Sequence, residues 1–185
     1  MNPRLLERLY IPARRLIEPA SAGLLYKALL LMYWRGEIFR DDQFPLAATL
    51  CSQFITDALL CEIRPAIESV AGCTLVPTYS YARLYFHGNV LDRHLDRDAC
   101  EVSASVNLGC DGGDPALWFD PNERVDMSPG DGVVYLGREA QHWRPPFAGS
   151  VMGQLFLHYV VADGAYVEEA FDRHSERFPP RAPTV

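Results

Sequence analysis

The feature that most constrains this chain is a change of hydrophobic period near Cys73. Ahead of it, apolar residues recur at helical spacing. Ser21 is placed to cap a helix with apolar positions Leu24, Leu25, Ala28, Leu31 and Met32, ending at Arg35-Gly36. Pro45 opens a second helical pattern through Leu46, Leu50, Phe54, Ile55, Ala58 and Leu59, which Pro65 breaks or kinks before Ala71-Gly72. From Cys73 onward the period is two. Short β-rich runs at 74–86, 101–108, 116–119, 132–136 and 152–161 are punctuated by Gly, Pro, Asp and Asn. Helices followed by many short antiparallel-type strands predict an α+β fold, a sandwich or barrel braced by helices on one face. The expected organisation is a single domain over 1–185: a helical brace at 1–72, a β core at 73–162 and a C-terminal tail at 163–185.

A chain of 185 residues with 49% hydrophobic and 22% charged residues can bury one ordinary core, so a long disordered tail and a multidomain enzyme are excluded. The formal charge of −7 argues against nucleic acid or an anionic membrane as a general partner. Cys51, Cys61, Cys73, Cys100 and Cys110 are an odd set without CxxC spacing, read as reduced thiols in a cytoplasmic protein. The longest apolar stretch, 24–34, contains Lys27 and is about half the ~20 residues that a membrane crossing needs. The arginines near the start are interrupted by Glu7 and Glu18 with no serine-rich stretch after them, which argues against a targeting peptide.

Strand parity separates two faces. In 79–86 the odd positions are Tyr79, Tyr81, Arg83 and Tyr85, and the later even ones are Ala82, Leu84 and Phe86. The run 101–108 repeats the pattern, polar on odd positions and apolar on even ones. If helices cover the greasy face, the other face looks at solvent or a polar cavity.

His94-Leu95-Asp96 puts an imidazole and a carboxylate on the same side of an extended chain, where both can hold a first-row metal. A third ligand is available in His142, 46 residues beyond Asp96. Two His and one carboxylate on one face of a metal leave the opposite positions open, the arrangement of non-haem Fe(II) oxygenases. A lone HxD is a weak signal, but its surroundings add to it. Arg83-Leu84-Tyr85 and Gly88 precede the pair; the run 102–108, Gly112-Gly113, the stretch 127–135, His142, Gly149 and a last strand follow. In this order and spacing, 78–161 resembles the double-stranded β-helix, or jelly roll, of Fe(II)/2-oxoglutarate-dependent dioxygenases, especially their prolyl-4-hydroxylase-like branch. The resemblance implies His94, Asp96 and His142 as iron ligands, Fe(II) and 2-oxoglutarate as cofactor and cosubstrate, and O2 as oxidant. It implies hydroxylation of an unactivated C–H bond in a small molecule or a peptide residue. Asp96 favours hydroxylation over halogenation, because halogenating relatives lack the carboxylate ligand and leave room for chloride.

One departure is informative. The family usually carries Arg or Lys on the strand after the distal His, about ten residues on, to pair the far carboxylate of 2-oxoglutarate; here position 152 is Met and the strand has neither. An unpaired buried carboxylate is expensive, so a cation is needed from elsewhere. The order of preference is Arg83 with Tyr85, then Arg144, then Gln154, which can hydrogen-bond but not neutralise. His87 reads as a turn residue, and His158 as a core histidine bonded to a backbone carbonyl. His174-Ser175-Glu176 lacks strand context, and Gly112-Gly113 and Gly130-Asp131-Gly132 read as hairpin turns. Trp118, Trp143 and Tyr135 read as core or rim aromatics. Two alternatives remain: a non-catalytic cupin-like binding protein, and a metal-dependent barrel enzyme that does not use 2-oxoglutarate. Substrate identity and oligomeric state do not follow from these residues.

Overall fold

The computed structural model describes residues 1–40, 48–51 and 54–173. Two antiparallel sheets face each other. The larger is built from β1 (Tyr10–Ala13), β2 (Phe39–Arg40), β3 (Ala48–Cys51), β4 (Leu75–Phe86), β6 (Val102–Asp111), β9 (Gly132–Tyr135) and β11 (Val151–Val161), in the order β1-β9-β6-β11-β4-β3-β2. The smaller contains β5 (Leu91–His94), β7 (Leu117–Phe119), β8 (Glu123–Val125) and β10 (His142–Arg144), in the order β5-β10-β7-β8. The helices are α1 (Pro3–Arg8), α2 (Pro19–Trp34), α3 (Phe54–Glu62) and α4 (Arg64–Ala71).

The alternation read from the sequence sorts the large sheet as expected. Ala82 and Leu84 of β4, Val102, Ala104, Val106 and Leu108 of β6, and Leu155 and Leu157 of β11 form one core with Ala22, Tyr26 and Leu29 of α2 and Leu60 of α3. The other face of the same strands turns its polar and aromatic residues toward the small sheet. A second core, including Tyr10, Leu117, Phe119, Val133 and Tyr135, fills part of the space between the sheets.

Helix α2 docks through a local device. Gly109 of β6 and Gly153 of β11 are register partners, and a Cβ at either would lie 2.6 or 2.7 Å from the Tyr26 ring. Two adjacent glycines thus open a flat seat for one tyrosine, and side chains there would lift the helix off the sheet.

The N-terminal half departs from expectation. Helix α2 begins at Pro19, which has no N–H to lose at the first turn, with Glu18 rather than Ser21 at the cap. Its buried residues are Ala22, Tyr26 and Leu29, while Leu24 and Leu31 are exposed, because the Tyr26 seat sets the helix rotation. Residues 48–51 are not helix but strand β3, paired with β4 so that Leu50 lies opposite Ala82. Tertiary pairing at the open edge of β4 overrides the helical pattern there. Leu50 is buried as expected, but Phe54 and Ala58 are exposed and α3 buries Thr56 and Leu60 instead. Pro45 and Leu46 lie outside the described residues, as does His174-Ser175-Glu176. Pro65 sits in the first turn of α4, so the break it makes also starts a helix, closed by Gly72 at φ +67°. The stretch 1–72 therefore contributes three strands as well as its helices.

Candidate metal centre

His94 ends β5, His142 begins β10, and the two are register partners across that strand pair. Their rings lie 4.3 Å apart between centroids. Asp96 follows β5 by two residues, and its N–H donates to Gly137 O at 2.8 Å. Gly137 is required by this approach, since a Cβ there would stand 2.6 Å from Asp96 Oδ2. Nothing in the sequence had marked Gly137.

The histidines are held in one tautomer. His94 Nδ1 donates to Asp92 O at 2.8 Å and His142 Nδ1 to Ala140 O at 2.9 Å. That leaves each Nε2 as a lone-pair donor, and both face the same carboxylate oxygen. Asp96 Oδ1 is 3.5 Å from His94 Nε2 and 3.8 Å from His142 Nε2. All three ligand atoms lie within 4.8 Å of one another. Backbone carbonyls that orient imidazoles in this way are the usual outer support of metal-binding histidines.

Charge is distributed to suit a cation. Burial works against an ionised Asp96, but the His94 contact and the fields of His142 and His158 hold its pKa below the ordinary carboxylate value. Burial also opposes a charged His94, yet its contact with Asp96 carries it above the usual value. His142, more deeply buried, is pulled down. Ionised Asp96 and neutral His142 are the forms that ligate a metal.

A second set, Asp96, Cys100 and His158, also lies within 4.8 Å. Burial pushes the Cys100 thiol up to about 12, so it presents a protonated sulfur where the first trio presents ready lone pairs. His158 corrects the sequence expectation. Its Nδ1 is 2.8 Å from Ser103 Oγ rather than at a backbone carbonyl, and its Nε2 has no partner among the described residues. The Ser103 position faces inward on β6, and that parity was the available signal.

The open side of the trio meets a cavity of about 550 Å³ whose walls include Tyr79, Tyr81, Arg83, Leu91, Tyr135 and Phe156. Arg83 is buried, donates from Nε to Thr49 Oγ1 at 3.1 Å and lies 5.2 Å from the Tyr81 ring centroid. Gln154 accepts from Ser105 Oγ at 3.0 Å and directs Nε2 to Met152 Sδ. Tyr85 and Arg144 are fully buried deeper in the barrel, in contact with each other. His87 is exposed at a turn, as expected. Trp143 lies under Arg93, whose Cζ is 3.7 Å from its ring centroid. Gly112, Gly113 and Gly130 have positive φ, consistent with turns.

The sequence matches no protein-family model and no curated protein. Solved structures do match. The non-heme alpha-ketoglutarate-dependent carbocyclase SnoK from nogalamycin biosynthesis aligns at TM-score 0.72 and 14% identity, over 100% of this chain and 94% of that one. A Pseudomonas putida prolyl-4-hydroxylase aligns at 0.64 and 20%, over 84% and 94%. The viral collagen prolyl hydroxylase of Paramecium bursaria chlorella virus 1, solved with 2OG, aligns at 0.63 and 13%, over 82% and 94%. The chain thus has the double-stranded β-helix fold of the 2-oxoglutarate-dependent oxygenases, prolyl hydroxylases among them.

Proposed function

We propose that the protein is an Fe(II)- and 2-oxoglutarate-dependent oxygenase that hydroxylates an unactivated C–H bond of a small molecule or a peptide residue. The observation that carries this reading is the convergence of His94 Nε2, Asp96 Oδ1 and His142 Nε2 on one side of a cavity. Two imidazoles and one carboxylate suit Fe(II), and the cavity supplies the open side that cosubstrate and O2 need. Bound iron and 2-oxoglutarate would supply oxygen activation, with 2-oxoglutarate converted to succinate and CO2.

The chain's own residues do the positioning. Asp92 O and Ala140 O keep both imidazoles oriented, and Gly137 makes room for Asp96. Tyr79, Tyr81 and Phe156 line the cavity with rings that exclude water from the reacting face. The prolyl hydroxylase and carbocyclase likenesses support a substrate partner of either size class. The acidic balance supports neither nucleic acid nor an anionic membrane as partner, and no helix among the described residues is long and apolar enough to cross a membrane. Cys61, Cys73, Cys100 and Cys110 are free thiols, which supports a reducing, cytoplasmic setting. A single oxygenase domain over 1–185 is the organisation we assign.

Anaerobic titration with Fe(II), then 2-oxoglutarate, tests the reading. Bidentate chelation of bound iron produces a visible charge-transfer band, and that band is the expected result. Full iron binding without a band would favour a barrel enzyme that does not use 2-oxoglutarate. Failure to bind iron would favour a cupin-like binding protein.

A further inference from the structure

The two oxygens of Asp96 have different surroundings. Oδ1 faces both imidazoles, 3.5 Å from His94 Nε2 and 3.8 Å from His142 Nε2. Oδ2 lies between Gly137, where a Cβ would stand 2.6 Å from it, and the Ser103 hydroxyl, 3.4 Å away. That contact is long for an O–H···O bond, but no other side chain among the described residues hydrogen-bonds Oδ2.

Ser103 stands at the centre of a buried polar row that crosses three neighbouring strands. Its register partners are Tyr135 on β9 and His158 on β11. The row decides where the hydroxyl proton goes. His158 Nε2 is buried without a partner among the described residues, and a proton there would be an orphaned N–H. The ring therefore carries its proton on Nδ1 and donates it to Ser103 Oγ at 2.8 Å. Ser103 has its own proton left to give. Asp96 Oδ2 and Cys100 O both lie at 3.4 Å, and the carboxylate, being charged, is the stronger acceptor. Accepting from His158 also makes Ser103 a better donor. The chain of donors runs from His158 through Ser103 to Asp96.

An octahedral ion held by two imidazoles and one carboxylate oxygen keeps three positions for exchangeable ligands; a carboxylate bound through both oxygens leaves two. We propose that Ser103, oriented by His158, holds Asp96 as a one-oxygen ligand and so keeps the third position open. Both are positioning residues that act through Asp96. The proposal rests on the reading of His94, Asp96 and His142 as a metal centre, not on the identity of the cosubstrate. Under the oxygenase reading, 2-oxoglutarate needs two of the open positions and O2 the third.

The test uses the full chain loaded with Mn(II), whose effect on water proton relaxation counts the waters bound to it. Ser103→Thr and Ser103→Val are matched in shape, and only the first keeps a hydroxyl. Mn(II) affinity by isothermal titration should be retained in both and in Ser103→Ala, because the oxygen that Ser103 releases joins the metal; it also reports that each variant is folded. The relaxation enhancement should drop by about a third in Ser103→Val and Ser103→Ala, as one water is lost, and stay at the wild-type level in Ser103→Thr. His158→Asn places an amide N–H near the position of Nδ1 and should keep the wild-type level, whereas His158→Leu should lower it partway. In iron-loaded protein, conversion of 2-oxoglutarate to succinate should fall roughly 10- to 100-fold in Ser103→Val. An undiminished water count in Ser103→Val and Ser103→Ala overturns the proposal, as does a loss of Mn(II) affinity in those variants or a water loss shared by Ser103→Thr. A wild type that binds no Mn(II) overturns the metal-centre reading and the proposal with it. A wild type that binds metal but gives no charge-transfer band with iron and 2-oxoglutarate overturns the oxygenase reading alone, and the water count still decides the proposal.

Discussion

His142 and Arg144 stand two residues apart on one three-residue strand, both buried, with side chains on the same face. The fold provides for His142 fully: Nδ1 is bound to Ala140 O and Nε2 faces Asp96. Among the described residues it provides for Arg144 only at Nε. A polar group whose partners are all internal belongs to a centre that is formed before its ligand arrives. One that the fold leaves short keeps bonding capacity that the described residues do not use. The His142 side of the barrel is therefore expected to tolerate little change.

The largest effect is expected at the preformed side. His142→Ala leaves two ligands, which cannot fix an open octahedral site, so iron binding and turnover should disappear together in a protein that still folds. Isothermal titration with Fe(II) under anaerobic conditions checks this, and retained tight binding would remove His142 from the centre. Next comes the structural contrast on the other face of the large sheet. Leu84→Ala should cost about 2–5 kcal/mol in denaturant unfolding while iron affinity in the folded fraction stays unchanged, because Leu84 is fully buried in the helix-side core.

The third effect concerns acid stability. Burial pulls His158 down from the ordinary 6.5 to about 4. Above pH 6.5 neither folded nor unfolded His158 carries a proton, so it costs nothing. As pH falls from 6.5 to 4 the unfolded chain takes a proton that the folded chain refuses, and stability drops by about 3 kcal/mol. Below pH 4 the loss levels off. His158→Gln should lose this part of the pH dependence, seen as a shallower fall in unfolding free energy across that window. The smallest effect is expected from Gly137→Ala. A methyl there would collide with the Cys100 backbone carbonyl and stand 2.6 Å from Asp96 Oδ2, so both the backbone and the carboxylate must shift, weakening iron by roughly 10- to 100-fold, as loss of a ligand's support generally does.

Legibility in the sequence follows the range of the interaction concerned. Alternation in 79–86 and 101–108 is local, and it correctly separated the helix-side core from the barrel interior. The closeness of His94 and Asp96 was legible because residues two apart on an extended chain share a face, and their donor atoms do come together with that of His142. Rotation of α2 was not legible: it depends on Gly109 and Gly153, more than eighty residues away from Tyr26. The same holds for β3, where an apolar segment with helical spacing joins the edge of β4, and for Gly137, whose role exists only once Asp96 has come beside it. Arg144 was named from strand continuity, but its missing partners became visible only when the barrel closed around it.

The central claim is that His94, Asp96 and His142 hold one metal ion. Anomalous diffraction at the iron edge from anaerobic crystals loaded with Fe(II) tests it directly. The account predicts a single peak bounded by His94 Nε2, Asp96 Oδ1 and His142 Nε2, each within about 2.0–2.3 Å. A peak held instead by Asp96, Cys100 and His158, or iron bound at a place that none of the three ligands reaches, would contradict it.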